Sequence, residues 1–392
     1  MTSEFFASLV SFAAFVKGLR VAWLFGLSLS VVALAGPPQS ELHRYEAVEP
    51  HMGTLVRITV YVAGEQAARD AFRAAFDRIR HLDRILSDYR PDSELNQITR
   101  ATAGRAVRVS EDLFVVLAAS QDLAEATGGA FDITQGPVVR LWREARKTAR
   151  LPDPAALQDA ASRSGFRKLH LDAEQRTVTI DMSGMALDVG AIGKGYAASE
   201  AIEVLGGLGV SSALVAVSGD LAFSEAPPGQ RGWRIRVHSG ETLSAVPAML
   251  ELTNAAMSTS GSSEQHVDID GRRYSHIIDP ASRMGLVDDI TVTVIAPHGL
   301  DADGLDTAVS VLGADRGLAL IESRPATAAL IVQRTSAGTT VRPSRRFLEL
   351  SARQRAVIQT PEPCPDEQTG AGSGLRAQAR SSSMWSKVLP EP

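Results

Sequence analysis

The 392-residue sequence predicts a mixed α/β (α+β) fold, built as one large unit with a smaller subdomain. Strand-like alternation of apolar and polar residues recurs along the chain, for example in 54–61, 169–180 and 291–295. Between these stretches, apolar residues repeat at helical spacing, most clearly in 67–86. A chain of this length buries a substantial core without disulfide bonds, so the fold needs no covalent support.

Composition narrows the range of functions. The net charge is -5, the isoelectric point is near 6.0 and the basic residues are scattered, which argues against a nucleic-acid partner. The single cysteine, Cys364, excludes an intrachain disulfide and any metal or iron-sulfur site that needs several cysteines. It lies in a proline-rich tail, where a catalytic role is not expected.

The N-terminus has the layout of a secretory signal peptide. Lys17 and Arg20 precede an uncharged apolar run, 21–35, which ends in Ala-Leu-Ala before a Gly-Pro-Pro segment. The run is short for a membrane span of about 20 apolar residues, which favours cleavage after Ala35 over a retained anchor. The sequence therefore predicts export to the periplasm or another extracytoplasmic compartment, with a retained membrane anchor as the alternative.

The expected organisation has four parts: a signal peptide at 1–35, a linker at 36–45, one folded domain at 46–350 and a disordered tail at 360–392. The tail is rich in Pro, Gly, Ser and Gln and lacks hydrophobic periodicity. Nothing in its pattern predicts a core.

The folded part begins with 43–62, which is predicted as a first strand. The helix at 67–86 then ends in a loop rich in turn-forming residues. Tyr89 in this loop either stacks on a planar ligand or covers the edge of the core. A second helix is predicted to begin after the N-cap residue Ser110 and to end at the glycine pair 128–129.

Asp132 is predicted to lie at an apolar strand end, beside glycines and ahead of a helix that starts with Pro137. A carboxylate in such a place either contacts a ligand or caps the following helix. The residue pattern leaves both interpretations open.

The most informative stretch is 181–198, which reads DMSGMALDVGAIGKGYAA and runs into an alanine-rich helical pattern. Its glycines allow a backbone to approach a ligand closely, and the helix that follows starts with unpaired N–H groups. Lys194 adds a positive charge suited to phosphate, and Asp188 adds a carboxylate. The alternative is a plain strand-to-helix turn with a surface lysine, because the pattern matches neither a Walker A loop nor a G-x-G-x-x-G fingerprint.

Two further clusters carry polar side chains. His276 and Asp279 are predicted at the end of a strand, ahead of a turn. Asp303 and Thr307 are four residues apart on a predicted helix, so their oxygens share one face and can bind one hard cation. The alternative there is a helix cap followed by a buried threonine.

Taken together, the motifs occur in the order found in one family, and the chain resembles the ApbE-type flavin transferases, which are FAD:protein FMN transferases. The resemblance spans about 51–333. It rests on Met52-Gly53-Thr54, Ser87-Asp88-Tyr89, 129–132, 188–196, 275–280 and 303–307.

The resemblance implies an ApbE-like fold with a T-fold-related core and a cleft that holds FAD as a substrate, with a Mg²⁺ ion bridging the FAD pyrophosphate. FMN would pass to the hydroxyl of a Ser or Thr in an acceptor protein, with release of AMP. The implied partner is a flavoprotein subunit of a membrane-associated or extracytoplasmic redox system. An FAD-binding carrier and a pyrophosphatase that gives FMN and AMP are the alternatives.

By motif position, the resemblance also implies residue roles. His276 and Asp303 are the expected catalytic residues, and Asp279 and Asp306 are equally well placed to accept the proton of the acceptor hydroxyl. The expected cation ligands are the carbonyl of Ala191 and the side chains of Asp303 and Thr307. The expected contacts to FAD are Met52, Tyr89, Ala130, Phe131, Asp132, Asp188, Lys194, His276 and Ile277.

Two positions depart from the family pattern. Gly193 stands where members often have Ala, and Ser218 stands where they usually have the first glycine of a Gly-Gly-Asp turn. The second change affects how closely a ligand approaches that turn. No cysteine directly follows the N-terminal apolar run, which excludes a lipoprotein anchor there.

Overall fold

The computed structural model describes residues 41–237, 246–261 and 265–358. The expected signal peptide at 1–35 and the expected tail at 360–392 lie outside these ranges. No helix in the described ranges has the length and apolar character needed to cross a membrane. The described residues from Leu42 onward form one compact unit.

Strands and helices follow one another along the chain, which confirms the predicted mixed α/β class. The N-terminal part forms β1 (His43–His51), β2 (Thr54–Val62), α1 (Glu65–Leu86), α2 (Glu94–Thr99), β3 (Val107–Arg108), α3 (Glu111–Thr127), α4 (Gly136–Thr148), α5 (Pro154–Ser162), β4 (Leu169–Asp172) and β5 (Thr177–Ile180). The central part forms α6 (Gly193–Gly207), β6 (Ala213–Val217), β7 (Asp220–Phe223), β8 (Trp233–Arg236), β9 (Met249–Leu252) and β10 (Ala255–Gly261). The C-terminal part forms β11 (His266–Ile269), β12 (Arg272–Ser275), β13 (Ile278–Asp279), β14 (Met284–Gly285), β15 (Asp289–Ala296), α7 (Gly299–Glu322), β16 (Ala328–Thr335), β17 (Gly338–Pro343) and α8 (Arg345–Ile358).

An eight-stranded antiparallel sheet forms the centre, in the order β1-β2-β6-β7-β10-β15-β16-β17. Both of its faces are covered, because alternate residues of β16 pack into two different hydrophobic cores. Ala329 and Ile331 pack in the core under α1, α6 and α7, whereas Leu330 and Val332 pack in a second core with α8 and the β8–β9 hairpin. The three helices therefore lie on one face of the sheet.

Two stretches with strand-like patterns are hairpins, and the first of them was predicted as a single strand. The stretch 43–62 forms β1 and β2, and its two-residue turn, Met52-Gly53, has φ of 52° and 72°, the backbone that such short turns favour. The stretch 169–180 forms β4 and β5, which join β3 in a small sheet. In both cases the apolar alternation continues on either side of the turn, so periodicity alone does not reveal the reversal.

Helix caps decide two further boundaries. Ser93 caps the unpredicted helix α2, because its hydroxyl accepts a hydrogen bond from the N–H of Asn96 at 3.1 Å. A helix of six residues carries too little periodicity to be recognised in a sequence. The predicted start of α3 is confirmed, since Ser110 accepts from the N–H of Leu113 at 3.3 Å, and Gly128 ends this helix with φ of 63°.

The helices α6 and α7 cross at two glycines, with no side chain between their backbones. A Cβ atom on Gly195 would lie 2.1 Å from the carbonyl oxygen of Gly299, and one on Gly299 would lie 2.0 Å from that of Gly195. Neither position can therefore hold a larger residue without moving a helix. The N–H of Gly299 also donates to the hydroxyl of Ser199 at 2.8 Å. The crossing brings the first turns of both helices together.

Gly299→Ala is expected to lower the free energy of unfolding by about 3 kcal/mol, because the added methyl group meets backbone that has no room to move aside. Gly206→Ala is the matched control: Gly206 lies in α6 with open space around it, and alanine favours a helix over glycine by about 1 kcal/mol. Urea unfolding followed by circular dichroism measures both values. Equal stabilities for the two variants would contradict the close crossing.

Candidate functional site

One cleft of about 660 Å³ contains the expected catalytic residues, the expected cation ligands and the expected contacts to FAD. Its walls come from the first turn of α6, residues 303–307 of α7, the β1–β2 turn, the loop after α1, the segment before α4 and the segment after β12. The volume is typical of small-molecule sites. The expected residues in its lining are Met52, Tyr89, Ala130, Phe131, Asp132, Asp188, Ala191, Lys194, His276, Ile277, Asp303 and Thr307.

Lys194, in the first turn of α6, is held by two carboxylates. Its Nζ atom is 2.7 Å from Oδ2 of Asp220 and 3.4 Å from Oδ1 of Asp303. Burial lowers the pKa of Lys194, but the charges of Asp303 and Asp220 outweigh burial and hold the pKa above its ordinary value. Lys194 is therefore a charged group of the cleft and not a surface lysine.

The helix N-terminus that was expected to bind an anion binds a carboxylate of the protein itself. The N–H of Gly195 donates to Oδ2 of Asp303 at 2.9 Å. Gly195 is the third residue of α6, so its N–H is one of those at a helix start that have no acceptor within the helix. The carbonyl of Ala191 lies before Ile192, the N-cap residue of α6, and therefore does not belong to the hydrogen bonding of that helix.

Ser258 lies between two buried carboxyl groups. Its hydroxyl is within hydrogen-bond distance of Oδ1 of Asp220 and Oδ2 of Asp306. One hydroxyl hydrogen can be donated to only one of them, so the other carboxyl must donate in return. Asp220 is paired with Lys194, whereas burial and the charges of Asp303 and Asp220 raise the pKa of Asp306 well above its ordinary value. The proton therefore resides on Asp306.

The donor set around Lys194 fits a hard divalent cation. Three buried carboxyl groups, Asp220, Asp303 and Asp306, face one ammonium group, and burial with the charge of Asp220 raises the pKa of Asp303 to about 7. Cations such as Mg²⁺ prefer oxygen ligands of this kind and complete their shell with water and substrate oxygens.

Only part of such a ligand set comes from carboxylates. Among the described residues, no three His, Cys, Asp or Glu side chains converge as metal ligands. A cation here would depend on mixed donors, namely the Ala191 carbonyl, the Asp303 carboxylate and the Thr307 hydroxyl. Asp303 and Thr307 both face the cleft from α7, as their spacing predicted.

His276 follows β12 and is held as a neutral imidazole with a defined tautomer. Its Nδ1 atom is 3.1 Å from the carbonyl oxygen of Gln265, which can only accept, so Nδ1 carries the hydrogen. Burial lowers the pKa of His276; the bond to Gln265 opposes this effect, and the charges of Arg146 and Lys194 add to it. The lone pair of Nε2 is therefore available to accept a proton near neutral pH.

The alternative bases are less well placed. Asp279 accepts from the N–H of Ala281 at 3.0 Å and from the N–H of Ser282 at 3.2 Å, so its carboxylate closes the turn between β13 and β14. Asp306 lines the cleft but already carries a proton. The geometry favours His276 as the proton acceptor.

Asp132 lies in a turn, so its predicted place at a strand end is wrong. Its Oδ1 accepts from the N–H and the hydroxyl of Thr134 at 2.8 and 2.6 Å. Its Oδ2 accepts from Nε2 of Gln135 at 3.0 Å and from the N–H of Phe166 at 3.2 Å. These bonds hold the turn ahead of α4, but Asp132 does not cap that helix, whose N-cap residue is Gln135. Asp132 also lines the cleft.

Ser218, which stands where the family usually has glycine, keeps the backbone of a glycine turn. Its φ is 59°, in the left-handed region that non-glycine residues rarely adopt. The β6–β7 connection therefore has the shape that a glycine would give, and its hydroxymethyl group is added to the cleft wall.

Arg143 on α4 belongs to the cleft although no motif indicated it. Its guanidinium forms ion pairs with Asp88 and, at 2.7 Å, with Asp188. It also lies over the ring of Tyr89, with Cζ 4.2 Å from the ring centroid. The one available signal was helical spacing, because Arg143 and Arg146 recur one turn apart on the cleft side of α4.

Comparisons with known proteins agree with one another. A family model described as "ApbE family" matches residues 52–331. A protein named FAD:protein FMN transferase from Treponema pallidum (strain Nichols) is 31% identical over 335 residues, which cover 81% of this chain and 92% of that protein. The solved flavin transferase ApbE from Vibrio cholerae has a TM-score of 0.71 at 27% identity, covering 78% of this chain and 98% of that one. The apo form of flavinyl transferase ApbE from Pseudomonas stutzeri has a TM-score of 0.70 at 30% identity, covering 79% and 98%.

Lys194→Met is expected to lower the free energy of unfolding by about 3 kcal/mol at pH 8, because it leaves buried carboxylates without their cation. The loss should be smaller at pH 5. The pKa of Asp303 in the folded protein, about 7, lies above its ordinary value, so ionisation of Asp303 opposes folding and removes stability as the pH rises through 7. Below that pH the carboxyl group is neutral and needs Lys194 less.

Urea unfolding at both pH values, with divalent cations chelated, measures this difference. Lys147→Met is the control, since it removes an exposed lysine from α4. A loss of equal size at pH 5 and pH 8 would show that the charge balance of the cluster does not account for the effect.

Proposed function

This chain belongs to the ApbE family, and we propose that it transfers FMN from FAD to the hydroxyl of a Ser or Thr in an acceptor protein, releasing AMP. The observation that carries the proposal is the cleft, where motifs that are far apart in the sequence meet around Lys194 and Asp303. The expected acceptor is a flavoprotein subunit of a membrane-associated or extracytoplasmic redox system.

The transfer exchanges one bond to phosphorus for another. The oxygen of the acceptor hydroxyl bonds to the phosphorus of the FMN half, the bond from that phosphorus to the AMP oxygen breaks, and the hydroxyl proton passes to a base. The site must therefore hold both reactants in line, offset the charge of the pyrophosphate and receive one proton.

The charge of the pyrophosphate is met by Lys194 and by a cation. We infer that the cation is Mg²⁺, held by the Ala191 carbonyl, Asp303 and Thr307, whose oxygens suit it. When bound, Mg²⁺ neutralises charge on the pyrophosphate oxygens. Asp303 has a second task, because its other oxygen accepts from the N–H of Gly195 and so holds the first turn of α6 in place.

His276 is the residue that accepts the proton. Its Nδ1–H is held by Gln265, which directs Nε2 away from that carbonyl, and its lowered pKa keeps the ring neutral before the reaction. After accepting the proton, the imidazolium lies within the influence of Arg146 and Lys194, which favours its return to the neutral form.

The remaining expected contacts surround the flavin and adenosine parts of FAD. Tyr89 offers an aromatic face, since the residue is 70% exposed, whereas Phe131 and Ile277 are buried and contribute the apolar floor. Met52, Ala130, Asp132 and Asp188 complete this part of the lining.

Incubation of the purified protein with FAD, Mg²⁺ and a candidate acceptor domain is expected to give a fluorescent flavin band on the acceptor in a denaturing gel, together with AMP. Asp303→Asn keeps an oxygen that can accept from Gly195 but removes a charge from the cation site, so it should lose at least about a hundredfold in rate while remaining folded. The same loss is expected for the unchanged protein in a chelator.

Other products would point to other functions. FMN and AMP without labelled acceptor would favour a pyrophosphatase, and unchanged FAD that stays bound would favour a carrier. Full activity of Asp303→Asn would remove Asp303 from the cation site.

We propose that the protein is exported, on the strength of the residue pattern at the N-terminus. Lys17 and Arg20 ahead of the apolar run 21–35 have the order of a secretory signal. Sequencing the N-terminus of the protein isolated from its native cells is expected to give Gly36 as the first residue. A mature chain that retains 21–35 would instead favour a membrane anchor.

A further inference from the structure

The loop that carries Tyr89 is joined to the Asp188 loop through a single side chain. The guanidinium of Arg143 lies between Asp88 and Asp188 and forms an ion pair with each through a different nitrogen. The Arg143 side chain is 21% exposed, and those of Asp88 and Asp188 are 13% and 12% exposed, so water screens the three charges only partly. Charge-assisted bonds of this kind hold the guanidinium plane in one orientation.

The same guanidinium supports the aromatic ring. Its Cζ atom is 4.2 Å from the centroid of Tyr89, within the range of a cation–π contact. Tyr89 nevertheless remains 70% exposed, so one face of the ring rests on Arg143 while the rest of the ring is open to the cleft. A side chain with this much exposure would otherwise sample several rotamers.

Side-chain hydrogen bonds also hold the backbones of both loops. Nδ2 of Asn96 in α2 donates to the carbonyls of Asp88 and Arg90 at 3.0 and 2.8 Å, on either side of Tyr89. Oδ1 of Asp188 accepts from the N–H of Gly190 at 2.9 Å. The backbones at both ends of the Arg143 bridge are thus held, and the bridge sets the distance between them.

We propose that Arg143 is a positioning residue for FAD: by bridging Asp88 and Asp188 it holds the ring of Tyr89 in the orientation that stacks on a planar ring of the substrate. This inference rests on the proposed function, in which FAD is the substrate. Arg143 acts through Tyr89 and takes no part in the bonds that form and break.

A lysine cannot replace Arg143 in this role. Its ammonium is a point charge on a flexible stem, so it can approach one carboxylate but presents no plane that bridges two and supports a ring. Arg143→Lys therefore keeps the charge of the cleft and removes the geometry. Arg140→Lys makes the same change at an exposed position one turn earlier in α4 and is the matched control.

The test is a double-mutant cycle on FAD binding, measured by quenching of flavin fluorescence in the full-length protein with divalent cations chelated so that FAD is not consumed. Arg143→Lys is expected to raise the Kd for FAD about tenfold, and Arg140→Lys to leave it unchanged. In a Tyr89→Ala background, Arg143→Lys should change the Kd less than about twofold, because the residue through which it acts is absent. At saturating FAD and Mg²⁺, kcat of Arg143→Lys should stay within about twofold of the unchanged protein.

Each other outcome has a defined meaning. A tenfold loss that persists without Tyr89, or an unchanged Kd in Arg143→Lys, would overturn the positioning role. If Arg143→Lys does not fold, Asp88→Asn takes its place, with about a threefold rise in Kd expected only when Tyr89 is present, and no rise would again overturn it. Failure of the unchanged protein to bind FAD would count against the proposed function and not against the bridge.

Discussion

The backbone contact between α6 and α7 is the constraint on which the site depends. Because Gly195 and Gly299 allow the two helices to touch, Asp303 on α7 reaches the N–H of Gly195 on α6. Lys194, one residue earlier, then lies between Asp303 and Asp220. The core of the protein and the chemistry of its cleft are therefore set by the same crossing, and neither can shift alone.

The crossing gathers more negative groups than the protein can neutralise. Lys194 pairs with two carboxylates, and the third, Asp306, remains protonated against the hydroxyl of Ser258. Burying charged groups without partners costs free energy, so this cluster weakens the fold in order to hold oxygens ready for a cation and a substrate. Sites that sacrifice stability in this way are common where function requires a strained or charged arrangement.

Much of the site could be predicted from the sequence because its residues occur in motifs with fixed spacing. Asp303 and Thr307 are four residues apart on a helix and therefore share one face, and Lys194 follows glycines that mark a helix start. The contacts of Asp220 with Lys194 and of Ser258 with Asp306 could not be predicted, since the partners come from different elements. Contacts between distant elements leave no periodic trace in a sequence, and this is also why the order of the central sheet was not predicted.

Arg143 was missed for the same reason, because its partners belong to two separate loops. The helix α2 was missed for another reason: it is too short to show a repeat. Yet α2 contributes Asn96, which binds the backbone on both sides of Tyr89. A binding loop usually loses conformational entropy when its ligand arrives, and that loss weakens binding. Here the loss has already occurred during folding. The short helix α2 therefore orders the Tyr89 loop at the expense of the free energy of folding, and a planar ligand binds more tightly because the loop is already ordered.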